Sequence, residues 1–347
     1  MNSNTAKNRR GIAIAGNVLN DLVKRIDCYP KVGMLANIRE ISRSVGGCVP
    51  NTGINLAKID PTLPIRAIGK VGRDEYGEYV TARLREFGID TASIRLSDTK
   101  PTSFTDVMSM PSGERTFFHA RGANAEFSPS DVDLDALDCS LLHIGYILLL
   151  DAFDADDSEY GTVMARFLHD VQACGIKTSV DCVSDSSADY AAKIIPALRY
   201  TDYVIVNEIE STSIWGLDPY YPDGSVHVEN IRETMRRMIE CGVREKVVVH
   251  CKSCSFCMDA SGAFTAVPSV NIPKAEIRGS VGAGDAFCAG CLYGIYYGKS
   301  DRGMLEFASA AAVCNLFSEN SIDSMRSKDE MPEIIARYGW CELPKNL

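Results

Sequence analysis

The strongest constraint on this 347-residue chain is an alternation that runs along most of it. Short, nearly continuous apolar runs at 11–15, 65–69, 141–144, 177–180, 203–206 and 246–250 are separated by helical patterns at 51–59, 75–87, 160–174, 228–241 and 302–317. A strand that is apolar on both sides must be covered on both sides. The repetition therefore predicts an α/β fold: a doubly wound, mainly parallel sheet flanked by helices. Ligands of such sheets gather at the carboxyl ends of the strands. No repeat, low-complexity tract or Pro-rich linker divides the chain, so residues 11–347 read as one domain behind a disordered tail at 1–10. Two segments, 26–43 and 101–121, break the alternation. Within the second, 102–110 and 114–120 read as a hairpin around Pro111-Ser112-Gly113.

Chemistry concentrates at Gly282-Ala283-Gly284-Asp285, which opens a helical pattern at 285–297. Small residues let a ligand approach the backbone, and the free N–H groups and positive dipole of a first helical turn suit a phosphate. The carboxylate of Asp285 stands beside that cradle as a candidate base, which is what phosphoryl transfer to a hydroxyl requires. A tight turn capped by an aspartate explains the same four residues.

Further segments decide between these readings. Gly46-Gly47-Cys48-Val49-Pro50-Asn51, the run Ile12-Ala13-Ile14-Ala15-Gly16 followed by Asp21, Lys70 to Gly77 with its Gly72-Arg73-Asp74, and Asn207-Glu208-Ile209-Glu210 occur in that company. Together with Gly282 to Asp285 they resemble the motifs of the ribokinase-like (PfkB) carbohydrate kinase family, and they span roughly residues 11–325. The resemblance implies a ribokinase-like sheet with a small β lid over the substrate, formed by 26–43 and 101–121 and serving also as a possible homodimer surface. It implies ATP with magnesium as cofactor and a small sugar as acceptor. Asp285 is then the base, and Gly282, Ala283 and Gly284 form the anion hole. Asp21 and Asn51 clamp sugar hydroxyls, as a charged acceptor and a mixed donor–acceptor suit a polyol. Gly46 and Gly47 allow close approach, with Asn51 expected to begin a helix. His119, Arg121 and Asn124 look like a segment that faces substrate in many relatives. Asn207, Glu210, Lys252 and Ser309 are the expected nucleotide contacts, with Glu210 also the magnesium residue; alone, Asn207 and Glu210 read equally as a helix cap. Nucleoside phosphorylation on the same fold, and a sugar-binding homologue without turnover, are the alternatives.

Departures from the family pattern matter. Gly279 stands where an acid usually begins the last motif and Val281 where threonine is frequent, which weakens the expectation of potassium activation. His250-Cys251-Lys252-Ser253-Cys254-Ser255 lacks the two glycines usual at the nucleotide loop. Cys251, Cys254 and Cys257 have a spacing compatible with a metal, and equally with small apolar fillers.

A formal charge of −10 argues against nucleic acid or an anionic membrane as partner. Thirteen cysteines read as reduced thiols in a cytoplasmic protein. Residues 1–10 are polar and basic with no apolar core, which predicts no secretory leader. No apolar run reaches the roughly 18 residues of a membrane span.

Overall fold

The computed structural model describes residues 9–111, 114–184 and 189–347. In chain order the strands are β1 (Ile12–Gly16), β2 (Leu19–Ile26), β3 (Ile38–Gly46), β4 (Ile65–Gly72), β5 (Asp90–Ser97), β6 (Ser103–Ser109), β7 (Arg115–Ala120), β8 (Leu141–Ile147), β9 (Asp156–Asp157), β10 (Gly161–Thr162), β11 (Lys177–Cys182), β12 (Tyr203–Asn207), β13 (Lys246–His250), β14 (Cys254–Asp259) and β15 (Phe264–Pro268). The α-helices are α1 (Cys48–Ile59), α2 (Glu75–Glu86), α3 (Val163–Ala173), α4 (Tyr190–Leu198), α5 (Glu208–Ser213), α6 (Val228–Cys241), α7 (Ala283–Tyr296), α8 (Asp301–Leu316) and α9 (Met331–Tyr338).

Nine strands form one sheet in the order β15-β14-β13-β12-β11-β8-β1-β4-β5. Pairing is parallel from β5 to β13 and antiparallel only through β14 and β15. Period-two side-chain alternation builds a core on each face. Ile12 and Ile14 of β1 join the cluster that includes α1, α7 and α8, while Ala13 and Ala15 join the one that includes α3, α4 and α6. At its carboxyl end β1 meets β8, with the Asn17 N–H donating to the Gly145 carbonyl at 2.9 Å. The site gathers there.

A separate four-stranded sheet, β3-β2-β6-β7, forms the lid. It starts at Leu19 rather than near residue 26. β2 carries Asn20, Asp21, Lys24 and Arg25, so no apolar run marked it, and residues 27–37 are connection. β6 and β7 pair antiparallel as the expected hairpin, whose tip residues 112 and 113 lie outside the described residues. So do residues 1–8 of the expected tail; Arg9 is described and donates to the Leu137 carbonyl at 3.1 Å.

Several boundaries differ from the sequence reading, among them these three. The α1 helix begins at Cys48 with Gly47 as its cap, which puts Asn51 inside the first turn rather than at the start. Thr162 caps α3 by accepting from the Ala165 N–H at 3.1 Å, because 161–162 pair with 156–157 as a short hairpin. β11 continues to Cys182, which brings Asp181 to the carboxyl edge. Among the described residues no helix is long and apolar enough to cross a membrane.

Candidate active site

Asp285 lies in the first turn of α7, 8% exposed. The Tyr146 hydroxyl donates to its Oδ1 at 2.7 Å and the Asn51 amide to its Oδ2 at 2.9 Å. Ser321 in turn donates to Asn51 Oδ1 at 2.7 Å, so the amide orientation follows from its partners. Burial pushes the Asp285 carboxyl up to about 6, against these donors, which hold it down. Gly282 caps the helix at φ +78°. There a Cβ would be both strained and in collision with Ser321. The Ala283 N–H leans back on the Ser280 carbonyl at 3.3 Å, leaving those of Gly284 and Asp285 as first-turn donors with no helical acceptor. Asn315 steadies the approach to this turn by donating to the Val281 carbonyl at 2.8 Å.

Asp21 comes from the lid, on β2. Any side chain at Gly46, its neighbour across the β2–β3 ladder, would overlap the Asp21 carboxylate. Burial, and then the charge of Asp285, raises Asp21 to about 7. Two acids 264 positions apart in sequence thus feel one another, and Asp21 lines a small cleft with Ser44, Arg115, Val281, Asn320 and Ser321. His119 on β7 meets the Thr105 hydroxyl at 3.1 Å. Arg121 pairs with Asp151 at 2.5 Å and donates to the Leu148 carbonyl at 3.3 Å. Asn124 is fully buried and accepts from the Val18 N–H at 3.1 Å, while its amide nitrogen has no partner.

On the other side of Asp285, Asn207 and Glu210 form a reciprocal cap on α5. The Glu210 N–H donates to Asn207 Oδ1 at 2.8 Å and the Asn207 N–H to Glu210 Oε2 at 2.9 Å. Unlike an ordinary cap, Glu210 is 6% exposed, and burial raises it to about 7. Asp181 nearby is pushed well up by burial and by the charges of Glu210 and Asp285. The described partners of these two carboxyls are neutral: Ser184 and Asn207 for Glu210, the Cys182 N–H for Asp181. Such a donor set fits a hard divalent cation such as magnesium. Lys252 is exposed in the turn between β13 and β14. Ser309, on α8, is buried with its hydroxyl unpartnered.

Cys251, Cys254 and Cys257 do not converge on one point. Cys251 and Cys254 pack with one core and Cys257 with the other, as residues three apart on a strand face opposite ways. His143, Asp181 and Cys288 come within 4.8 Å of one another, with the imidazole nitrogens 3.0 Å from the Ser179 hydroxyl and 3.6 Å from Cys288 Sγ. Tyr146, Ser321 and Asp181 were not foreseen. No local pattern marks them; only the parallel sheet brings residues 51, 146, 285 and 321 together.

Residues 11–328 match the sequence profile described as pfkB family carbohydrate kinase. The chain belongs to that family. It is an ATP-dependent carbohydrate kinase with a ribokinase-like fold. The 5-dehydro-2-deoxygluconokinase of Shouchella clausii (strain KSM-K16) is 21% identical over 86% of this chain and 88% of its own. Fructokinase-1 of Oryza sativa subsp. japonica is 25% identical over 89% and 94%. Among solved structures, Arabidopsis thaliana ribokinase complexed with ribose and ATP superposes with a TM-score of 0.75 at 20% identity, covering 94% of this chain and 99% of that one.

Proposed function

We propose that this kinase transfers the γ-phosphoryl group of ATP to a hydroxyl of a small sugar, with Asp285 as base. One observation carries the reading: a buried carboxylate at a helix N-terminus, aimed by Tyr146 and Asn51 and raised to about 6. A base tuned toward neutrality is ionised at working pH yet still able to take a proton. Phosphoryl transfer has a loose transition state, so Asp285 contributes by holding the attacking oxygen in line as much as by accepting its proton. The turn at Gly282, Ala283 and Gly284, with the positive end of α7, stabilises charge on the moving phosphoryl oxygens.

Asp21 and Asn51 hold the sugar, Gly46 and Gly47 let the backbone close on it, and His119 completes the wall through Thr105. Arg121 and Asn124 act at one remove, through Asp151 and Val18. The nucleotide lies along the carboxyl ends of β12 and β13, with Asn207, Glu210, Lys252 and Ser309 around it. Glu210 and Asp181 would hold magnesium, which neutralises phosphate charge when bound. Lid closure excludes water as a competing acceptor. The lid's outer face, which presents exposed Ile41 and Phe118, meets a second copy of the chain.

A nucleoside acceptor is the second reading. Phe117 is exposed and pairs with Val107, on the cleft side of the lid, where its ring would stack on a base. ADP release measured over a panel of sugars and nucleosides with ATP and magnesium tests both. Turnover with at least one sugar is expected. Nucleoside turnover alone would favour the second reading, and no turnover above background hydrolysis would defeat both.

A further inference from the structure

Cys251 and Cys254 flank Lys252-Ser253, the turn joining β13 to β14. The Cys251 N–H donates to the Cys254 carbonyl at 2.9 Å, and the two sulfurs stand 3.2 Å apart. Their other sulfur contacts are local and uncharged: Cys251 Sγ lies 3.1 Å from the Cys254 carbonyl, and the Ser253 hydroxyl lies 3.8 Å from Cys254 Sγ. The Cys254 thiol beside it holds Cys251 below the ordinary thiol range, and the same contact pushes Cys254 up. The sulfur nearer the surface meets an oxidant first, and the other stands within reach to resolve it. Cys251 reaches the surface at 8% exposure, while Cys254 is fully buried.

What moves with this hairpin is the anion turn. His250, next to Cys251, packs at a tilt against Phe287 of α7, with ring centroids 4.7 Å apart. Its ring also lies 3.6 Å from where a Cβ would stand on Gly284. Closing a disulfide draws the sulfurs in to about 2.05 Å, and the displacement passes along the hairpin end to His250 and the first turn of α7.

We propose that Cys251 and Cys254 are an oxidation site at which hydrogen peroxide forms a reversible disulfide that alters nucleotide binding. The second half of this rests on the β13–β14 turn lying at the nucleotide. The Cys251 thiolate attacks one peroxide oxygen and breaks the O–O bond. The departing hydroxide takes the thiol's proton to become water, and the sulfur is left as a sulfenic acid. Cys254 sulfur then attacks that sulfur, forming S–S and breaking S–O. Hydroxide leaves with the Cys254 proton as a second water. Two thiols lose two hydrogens and two electrons, and one peroxide becomes two waters.

Trypsin reads the outcome directly, since cleavage after Lys252 separates the two cysteines into peptides 247–252 and 253–274. Purified full-length protein treated with peroxide, alkylated and digested should yield these two peptides joined. The link should vanish in Cys254→Ser, persist in Cys257→Ser and be reversed by dithiothreitol. Calorimetric titration of the oxidised protein should show ATP Kd raised by about threefold or more, and restored on reduction. Over-oxidation of Cys251 without a link, a link through Cys257, or a linked protein with unchanged ATP Kd would each overturn the proposal. Reduced protein that binds no ATP would instead count against the kinase reading, and the joined peptides would still decide the disulfide.

Discussion

Asp285 holds its proton to about 6 although Tyr146 and Asn51 both donate to it, because burial outweighs two neutral hydrogen bonds. Replacing it by asparagine should cut turnover by about 10²–10⁴ while sugar and nucleotide affinities stay near wild type. Steady-state kinetics with separate titrations checks this, and retention of a tenth of the activity would remove Asp285 from the base role. Asp21, raised to about 7, must also be ionised to accept from sugar hydroxyls. We therefore expect kcat/KM for the sugar to fall as pH is lowered through about 7 and again through about 6. In Asp21→Asn only the lower fall should remain, measured from pH 5 to 9. Stability moves the other way. Both groups bind protons more tightly folded than unfolded, so each withdraws stability as pH rises from about 4 through its folded value. Asp285→Asn should accordingly raise Tm by a few degrees at pH 7.5 while abolishing the chemistry.

At the level of elements, an ion pair ties β2 of the lid to the body. Arg25 on β2 donates to both oxygens of Glu319 at 2.8 and 2.9 Å. Glu319 belongs to the loop whose Ser321 steadies Asn51. With side chains 50% and 64% exposed, such a pair contributes little to stability. Glu319→Gln should leave Tm unchanged within error and raise the sugar KM about two- to fivefold, with the effect shrinking as salt is added. A lost Tm with unchanged KM would make the pair structural. The helix α7 and the strands β1, β4, β8, β12 and β13 could be read from apolar runs and small-residue motifs. β2 could not, since its half-buried ladder alternates polar residues on both faces. Asp285 and Asn51 stood in motifs, whereas Tyr146 sits in an unremarkable buried strand, 139 positions from the carboxylate it orients. Arg121 stood in a motif, whereas its ion pair with Asp151 depends on a loop no local pattern places. The β13–β14 turn was legible only as a departure from the family pattern, with Lys252 and Ser255 where the two glycines usually stand.

Across the whole molecule, apolar surface concentrates on the lid. Ile41 is 64% exposed and Phe118 56%, with Val32, Met34 and Leu35 exposed on the connection beside them. An acidic protein carrying a formal −10 would be expected to stay dispersed, and the proposed dimer would bury this patch. Sedimentation should show a dimer, and the double substitution Ile41→Asp with Phe118→Asp should yield a folded monomer; a wild-type monomer at tens of micromolar would contradict the lid interface. The hydrogen bonds around the base have a further consequence, in time rather than in space. Residue 285 is aimed by residues 51 and 146, and residue 51 is steadied by residue 321. A chain still emerging from the ribosome can pair its first strands long before any of these four groups has its full set of neighbours. With Asp285 as the proposed base, catalysis should begin only once synthesis has passed Ser321, and a fragment clipped ahead of that point is expected to be silent rather than partly active.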